Sequence, residues 1–203
     1  NTIYDVLVEG LDPNKAIINV SKNIDVLPSN DDMSFFELDV LTNREKFKDP
    51  FYLLKRSMEN IHKDYDYILI DSPPTLGLVQ SNILTYADSI IIPCQPENYS
   101  MRSLVKIINA IESFKEVHNP KLKIKGIVGT LVDLRTTLHS EVLQECRKFC
   151  NESEIHMFET IIPRSVRFAS SIAYERKPAT LTEKKNPIVG AYYDLLQEVK
   201  EIG

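Results

Sequence analysis

The chain has 203 residues, of which 43% are hydrophobic and 26% charged, and its formal net charge is −5. This composition is typical of a globular domain, and no apolar run reaches the roughly 18 residues of a transmembrane helix. The first residues lack the basic start and apolar stretch of a signal peptide, so the sequence predicts an intracellular protein. Three cysteines without histidines at ligand spacing favour unpaired thiols over a zinc site.

The charge is unevenly distributed along the chain. Residues 1–100 hold 8 basic and 16 acidic residues, whereas residues 101–203 hold 16 basic and 13 acidic residues. One stretch near the carboxyl end has six basic residues against two acidic ones, and its basic members are Arg164, Arg167, Arg176, Lys177, Lys184 and Lys185. Because local patches set the electrostatic footprint, this stretch is a candidate nucleic-acid surface, with an ordinary solvated surface as the alternative.

The first half of the chain predicts one helix and two strands. Apolar residues recur at helical spacing over residues 51–61. Residues 67–70 then form an unbroken apolar run that ends at Asp71, and residues 89–92 form a second run that ends at Pro93. Runs without alternation indicate strands that are buried on both faces, as in a parallel sheet.

The second half continues the same alternation of helices and strands. In chain order it predicts a helix over 104–111, a strand over 124–132, a weaker helix over 142–149, a strand over 160–162 and a helix over 188–199. This order predicts an α/β fold, a doubly wound and mostly parallel sheet with helices on both faces. No repeat or linker interrupts the pattern, so residues 1–203 are predicted to form a single domain.

The residues that close the predicted strands are candidates for a binding site. They are Asp71, Pro93, Asp133 and the pair Pro163–Arg164. Ligands of doubly wound sheets bind outside the carboxyl ends of the strands. The sequence therefore predicts a shared polar rim at these strand ends.

One segment carries a family resemblance. Tyr65–Gly77 (YDYILIDSPPTLG) resembles the Walker B strand and following loop of the ParA/MinD group of deviant Walker A P-loop ATPases. Further matches occur in the same order as in that family, at Thr2–Leu7, Asn23–Ser29, Asn82–Pro93, Gln95–Glu97, Gly126–Thr136 and Ile162–Arg167. The last of these, with Ile-Pro-Arg, resembles the ParA/Soj-type branch, the plasmid and chromosome partition ATPases.

The chain departs from the family at the phosphate-binding loop. That loop reads Lys-Gly-Gly-x-Gly-Lys-Ser/Thr in the family, whereas the six glycines here are never adjacent, and none is followed by Lys-Ser or Lys-Thr. The resemblance implies that the loop precedes the region matched by Thr2–Leu7. We therefore expect the ParA-like domain to be incomplete at its amino end, and we expect this chain alone not to hydrolyse ATP.

The resemblance implies roles for individual residues, with ATP and Mg²⁺ as cofactors. Asp71 matches the Walker B carboxylate, a catalytic residue that holds the metal directly or through water. The resemblance also implies a switch loop that senses the γ-phosphate, an adenine pocket, and a set of arginines that contact DNA without sequence preference. Their members are Pro73, Pro74 and Gly77 for the loop, Thr130, Asp133 and Pro163 for the pocket, and Arg135, Arg164 and Arg167 for DNA.

At the level of function, the resemblance implies a cytoplasmic, nucleoid-associated DNA-partition ATPase. Such a protein dimerises on ATP, binds DNA non-specifically, and hydrolyses ATP when stimulated by a ParB-like centromere-binding partner. One alternative is a non-catalytic DNA- or protein-binding relative without the phosphate loop. A MinD-like membrane ATPase is disfavoured, because residues 194–201 are acidic where that branch has a basic amphipathic helix.

Overall fold

The computed structural model describes residues 1–97, 100–171, 174, 177–183 and 185–202. The side chains of His62, Lys63, Arg167 and Ala169 lie outside the described residues, and so do Arg176 and Lys184. The chain divides into two compact units. The first comprises Asn1–Ala87 with Ser113–Leu122, and the second comprises Asp88–Glu112 with Lys123–Gly203.

The first unit is mainly helical. It contains a π-helix over Asp5–Glu9 and an antiparallel pair of strands, β1 (Ile18–Ser21) and β2 (Ile24–Val26). Its α-helices are α1 (Phe36–Thr42), α2 (Leu53–Ser57) and α3 (Leu78–Tyr86). Short 3₁₀ helices cover Pro13–Lys15, Asp31–Ser34, Pro50–Tyr52 and Ile61–Asp64.

The core of the first unit also contains a buried polar residue. Phe36 and Val40 of α1 are fully buried in an apolar cluster that includes Leu78 of α3. Asn82 of α3 is buried too, and its side chain accepts a hydrogen bond from the backbone N–H of Leu54 at 3.1 Å. Its amide donates to the carbonyls of Pro50 at 2.8 Å and Leu78 at 2.9 Å. These bonds offset the loss of hydration of Asn82 and fix the start of α2 against α3.

Two predictions for the first unit need correction. The predicted strand over 67–70 is wrong, because this segment has no regular secondary structure, and Leu69 is 93% exposed. A strand forms only where neighbouring strands pair with its backbone, and no described strand pairs with this segment. The predicted helix over 51–61 is only partly confirmed, since just Leu53–Ser57 is α-helical and short 3₁₀ helices lie on either side.

The second unit contains a parallel sheet with flanking helices. Its strands are β3 (Ser89–Cys94), β4 (Lys123–Val132) and β5 (Met157–Pro163), in the order β3–β4–β5. The helices are α4 (Ser100–His118, of which the residues up to Glu112 belong to this unit), α5 (Thr137–Glu152), α6 (Val166–Ser170), α7 (Ala179–Thr182) and α8 (Pro187–Glu201). The α/β class, the last three predicted strands and the last three predicted helices are confirmed. Within the described residues, no helix is both long and apolar enough to cross a membrane.

Side chains cover the backbone of β5 where its pairing is irregular. Between Ile127 and Gly129 of β4, the register with β5 shifts. Glu198 of α8 accepts hydrogen bonds from the N–H groups of Glu159 and Thr160, each at 2.9 Å. Arg147 of α5 donates to the carbonyl of Glu159 at 3.2 Å. Both side chains thus satisfy backbone groups that the sheet leaves unpaired.

The network around Asn82 generates a stability prediction. Replacing Asn82 by Ala leaves the N–H of Leu54 and the carbonyl of Pro50 without their partner, which we expect to cost about 2 kcal/mol of unfolding free energy. Urea unfolding followed by circular dichroism measures this loss. Asn151→Ala, at an exposed position of α5, is the matched control and should change stability by less than about 0.5 kcal/mol. Equal midpoints for the two variants would contradict the assignment.

Candidate functional site

The carboxyl ends of the three parallel strands lie side by side in the second unit. Cys94 at the end of β3 pairs with Gly129 of β4, and Val132 at the end of β4 pairs with Pro163. The N–H of Arg164 donates to the carbonyl of Val132 at 2.9 Å, which extends this pairing by one residue. The predicted rim therefore forms at three of its four expected strand ends, whereas Asp71 follows no strand.

Asp133, the first residue after β4, forms an ion pair with Arg135. The guanidinium of Arg135 donates from Nε to Oδ1 at 2.8 Å and from Nη2 to Oδ2 at 2.6 Å. The backbone N–H of Arg135 also donates to Oδ1, at 3.1 Å. The hydrogen bonds from the Arg135 side chain hold the pKa of Asp133 well below its usual range. Asp133 therefore stays ionised wherever the protein is folded at ordinary pH.

Glu97 connects the β3 end to the β5 end. Its Oε1 lies 3.5 Å from Nη2 of Arg164, the residue that follows β5. The same oxygen lies 4.0 Å from Nε2 of His139 in α5. Glu97 and the arginine are both more than half exposed, at 51% and 58% of their side-chain surface, so this pair is open to water.

His139 is the buried member of the rim. Only 7% of its surface is exposed, and its Nδ1 accepts a hydrogen bond from the backbone N–H of Asp133 at 2.9 Å. This bond requires Nδ1 to be unprotonated, so in the neutral ring the proton lies on Nε2, toward Glu97. The start of α5 holds His139 in place. Thr136 caps this helix, and its hydroxyl accepts a hydrogen bond from the N–H of His139 at 3.4 Å.

The end of β4 has an unusual backbone. Leu131 has a φ of 53°, in the left-handed region that non-glycine residues rarely adopt. At the same point, between Thr130 and Val132, the register with β5 shifts. An irregularity of this kind changes the direction of the side chains that follow it. Thr130 and Asp133, both predicted nucleotide contacts, lie on either side of this irregularity.

The remaining predicted nucleotide residues belong to the first unit. Asp71, Pro73 and Pro74 are exposed and lie in a segment without regular secondary structure. Gly77 directly precedes α3, where a Cβ atom would lie 2.9 Å from Oε2 of Glu37. The same oxygen accepts from the N–H of Leu78 at 3.4 Å. Glycine at position 77 thus allows the carboxylate of Glu37 to approach the start of α3.

Among the described residues, the carboxylates could hold Mg²⁺ only if phosphate oxygens completed its coordination. No group of three or more His, Cys, Asp or Glu side chains that could hold a metal occurs among them. Mg²⁺ commonly takes one or two carboxylates and completes its shell with water and substrate phosphates. An exposed carboxylate such as Asp71 is chemically suited to that arrangement.

The three cysteines form no disulfide and lie in the interior. Cys94, Cys146 and Cys150 are all free and buried, which confirms the prediction of unpaired thiols. The sulfur atoms of Cys94 and Cys146 are 3.8 Å apart, and the Sδ of Met101 lies 3.2 Å from that of Cys146. The hydrogen bond with Cys94 and then burial raise the pKa of the Cys146 thiol. These sulfurs pack as part of the core behind the rim.

The site residues predicted from the sequence thus divide between the two units. Thr130, Asp133, Arg135, Pro163 and Arg164 lie at adjacent strand ends of the second unit. Two rim residues had no predicted role. Glu97 enters the family resemblance only as the end of the match Gln95–Glu97, and no predicted site includes His139. The one sequence feature that could have drawn attention to His139 is its position three residues after Thr136, a residue type that often caps helices.

The chain is similar to proteins of known family. The model of the AAA domain family (AAA_31) matches residues 1–124. The sporulation initiation inhibitor protein Soj of Bacillus subtilis is 32% identical over 99% of the chain and 77% of its own length. The chromosome partitioning protein ParA of Myxococcus xanthus is 31% identical over 98% of the chain and 68% of its own length.

A solved structure has a similar fold. Cobyrinic acid a,c-diamide synthase from Mycobacterium smegmatis, crystallised with ADP and magnesium, is 30% identical. It superposes with a TM-score of 0.71 over 87% of this chain and 69% of that protein. The fold and these similarities thus define an α/β domain of the P-loop NTPase-like class. Within that class, the chain belongs to the ParA/Soj family of partition ATPases.

The role of His139 can be tested by two substitutions. His139→Ala removes the acceptor for the N–H of Asp133, and we expect a loss of about 1–3 kcal/mol of unfolding free energy. His139→Asn places an amide oxygen near the position of Nδ1, so it should recover a substantial part of that loss. Denaturant unfolding compares the two variants with the parent protein. Equal destabilisation by both substitutions would show that the hydrogen bond to Asp133 does not matter.

Proposed function

We propose that this protein is a DNA-partition ATPase that acts in plasmid or chromosome segregation. The observation that carries the proposal is the edge of the second unit, where the predicted nucleotide contacts Thr130, Asp133 and Pro163 lie beside Arg135 and Arg164. The residues proposed to contact nucleotide and the arginines proposed to contact DNA thus lie on one set of adjacent strand ends. Membership of the ParA/Soj family supports the proposal.

The proposed cofactors are ATP and Mg²⁺. A 30% identical relative was crystallised with ADP and magnesium, which supports nucleotide binding here. Bound Mg²⁺ supplies charge neutralisation at the phosphates. Asp71 would hold the ion directly or through water, and Pro73, Pro74 and Gly77 would form the loop that follows the state of the γ-phosphate. Thr130, Asp133 and Pro163 would contact the adenine.

The proposed macromolecular ligand is DNA, bound without sequence preference. Arg135 has 89% of its side-chain surface exposed and Arg164 has 58%, so both guanidinium groups can reach phosphate oxygens. Arginine suits this contact because its planar group donates two parallel hydrogen bonds to one phosphate. Arg167, whose side chain lies outside the described residues, is proposed as a third contact.

The finer features of the proposal follow the family. We propose a single domain that dimerises when it binds ATP, acts on the nucleoid in the cytoplasm and hydrolyses ATP when a ParB-like, centromere-bound partner contacts it. A non-catalytic relative that binds DNA or protein is the alternative. Thermal unfolding distinguishes the two, because MgATP raises the melting temperature only of a protein that binds it in the folded state.

The metal role of Asp71 is tested in the complete protein. Asp71→Ala should reduce Mg²⁺-dependent ATP turnover to background, because the substitution removes a carboxylate ligand of the metal. A phosphate-release assay with DNA and the centromere-bound partner present measures the loss. Asp66→Ala, at another exposed position of the same segment, is the matched control and should retain turnover. Turnover by the Asp71 variant equal to that of the control would remove Asp71 from the site.

The DNA contacts are tested by a second set of variants. The double substitution Arg135→Ala and Arg164→Ala should weaken binding to non-specific duplex DNA, and it should reduce the slope of log K against log salt by up to about 2. Fluorescence anisotropy across a salt series measures both quantities. Arg44→Ala, at an exposed position of the first unit, is the control for loss of charge. An unchanged slope in the double variant would overturn the DNA assignment of these arginines.

A further inference from the structure

We propose that Asp133 and Glu97 are internal counter-ions that compete with DNA phosphate for Arg135 and Arg164, and so set the affinity of this edge for DNA. The inference rests on the proposed function, since it assumes that the two arginines contact DNA. Asp133 and Glu97 are not themselves among the proposed DNA contacts. The two pairs have different geometries, and each supports the inference separately.

The pair Asp133–Arg135 occupies one of the two sides through which a guanidinium can bind a phosphate with two donors. Nε and Nη2 of Arg135 both donate to the carboxylate, at 2.8 and 2.6 Å. A guanidinium binds a phosphate through two parallel N–H donors of the same kind. Arg135 must therefore leave Asp133 in order to offer this side of its guanidinium to DNA. The arginine is 89% exposed, whereas the Asp133 side chain is only 21% exposed, so it is the arginine that is free to move.

The pair Glu97–Arg164 is looser and extends across the sheet. Oε1 of Glu97, in the segment after β3, lies 3.5 Å from Nη2 of Arg164, in the segment after β5. The backbone of Arg164 is fixed by its bond to the carbonyl of Val132, so only the side chain can turn from Glu97 to DNA. Glu97 also faces Nε2 of His139 at 4.0 Å, and His139 is in turn bonded to the N–H of Asp133. His139 thus lies between Glu97 and the backbone of Asp133.

The exposure of both pairs fixes the size of the expected effect. An ion pair open to water contributes little, at most about a factor of five in an equilibrium constant. DNA can therefore displace Asp133 and Glu97, which tune the affinity rather than prevent binding.

The experiment measures DNA affinity of the complete protein with MgATP, using non-specific duplex DNA across a salt series. Glu97→Gln and Asp133→Asn keep the side-chain shape and remove the charge. We expect each to tighten binding about two- to five-fold and to leave the salt slope nearly unchanged, because the same arginines contact phosphate in the parent complex and only the competing carboxylate is removed. Glu141→Gln is the matched control, because Glu141 is exposed on α5 and has no arginine partner in the described part of the chain.

Double variants separate a local competition from a general change of charge. In the Arg164→Ala background, Glu97→Gln should have no more effect than the control, and the same holds for Asp133→Asn in the Arg135→Ala background. If the arginine variants weaken DNA binding but the carboxylate variants match Glu141→Gln, the counter-ion inference is wrong and the proposed function stands. If the arginine variants leave DNA binding unchanged, the DNA part of the proposed function fails first.

Discussion

The parallel pairing of β4 with both β3 and β5 is the constraint on which the candidate site depends. Parallel strands end at the same edge of a sheet, and their next residues must leave the sheet there. In this chain that edge receives Glu97, Asp133 and Arg164 from segments far apart in sequence. Without this register, Glu97 and Arg164 would have no reason to meet. The irregularity at Leu131 and the bond from Arg164 to Val132 adjust the same edge locally.

The apolar pattern predicted the sheet of the second unit and failed in the first. The runs at 89–92, 124–132 and 160–162 all lie within observed strands. The run at 67–70 has the same composition, yet Leu69 is almost fully exposed. An apolar run shows that a segment can be buried in a sheet, but the strand itself needs hydrogen-bond partners on neighbouring strands. Such partners are a long-range property that the local pattern does not contain.

The same distinction applies to the site. Residues that end a strand could be predicted as rim residues, because the rule that places them refers to the strand alone. Glu97 and His139 could not, since their roles come from contacts with residues six to 67 positions away. Asp133 and Arg135 are two residues apart and were both predicted, but as contacts of different ligands. That they bind one another is a fact of side-chain geometry, which spacing does not determine.

This pairing changes how the charge of the chain relates to nucleic acid. Counting residues gives the second half of the chain an excess of basic groups. However, the two arginines described at the strand ends each face a carboxylate, so their positive charge is partly neutralised before any ligand arrives. The field that DNA meets therefore depends on how strongly those carboxylates hold their partners, and not only on the number of arginines. A surface of this kind therefore responds to any ligand that engages Asp133 or Glu97, because such a ligand changes how much of the arginine charge is neutralised.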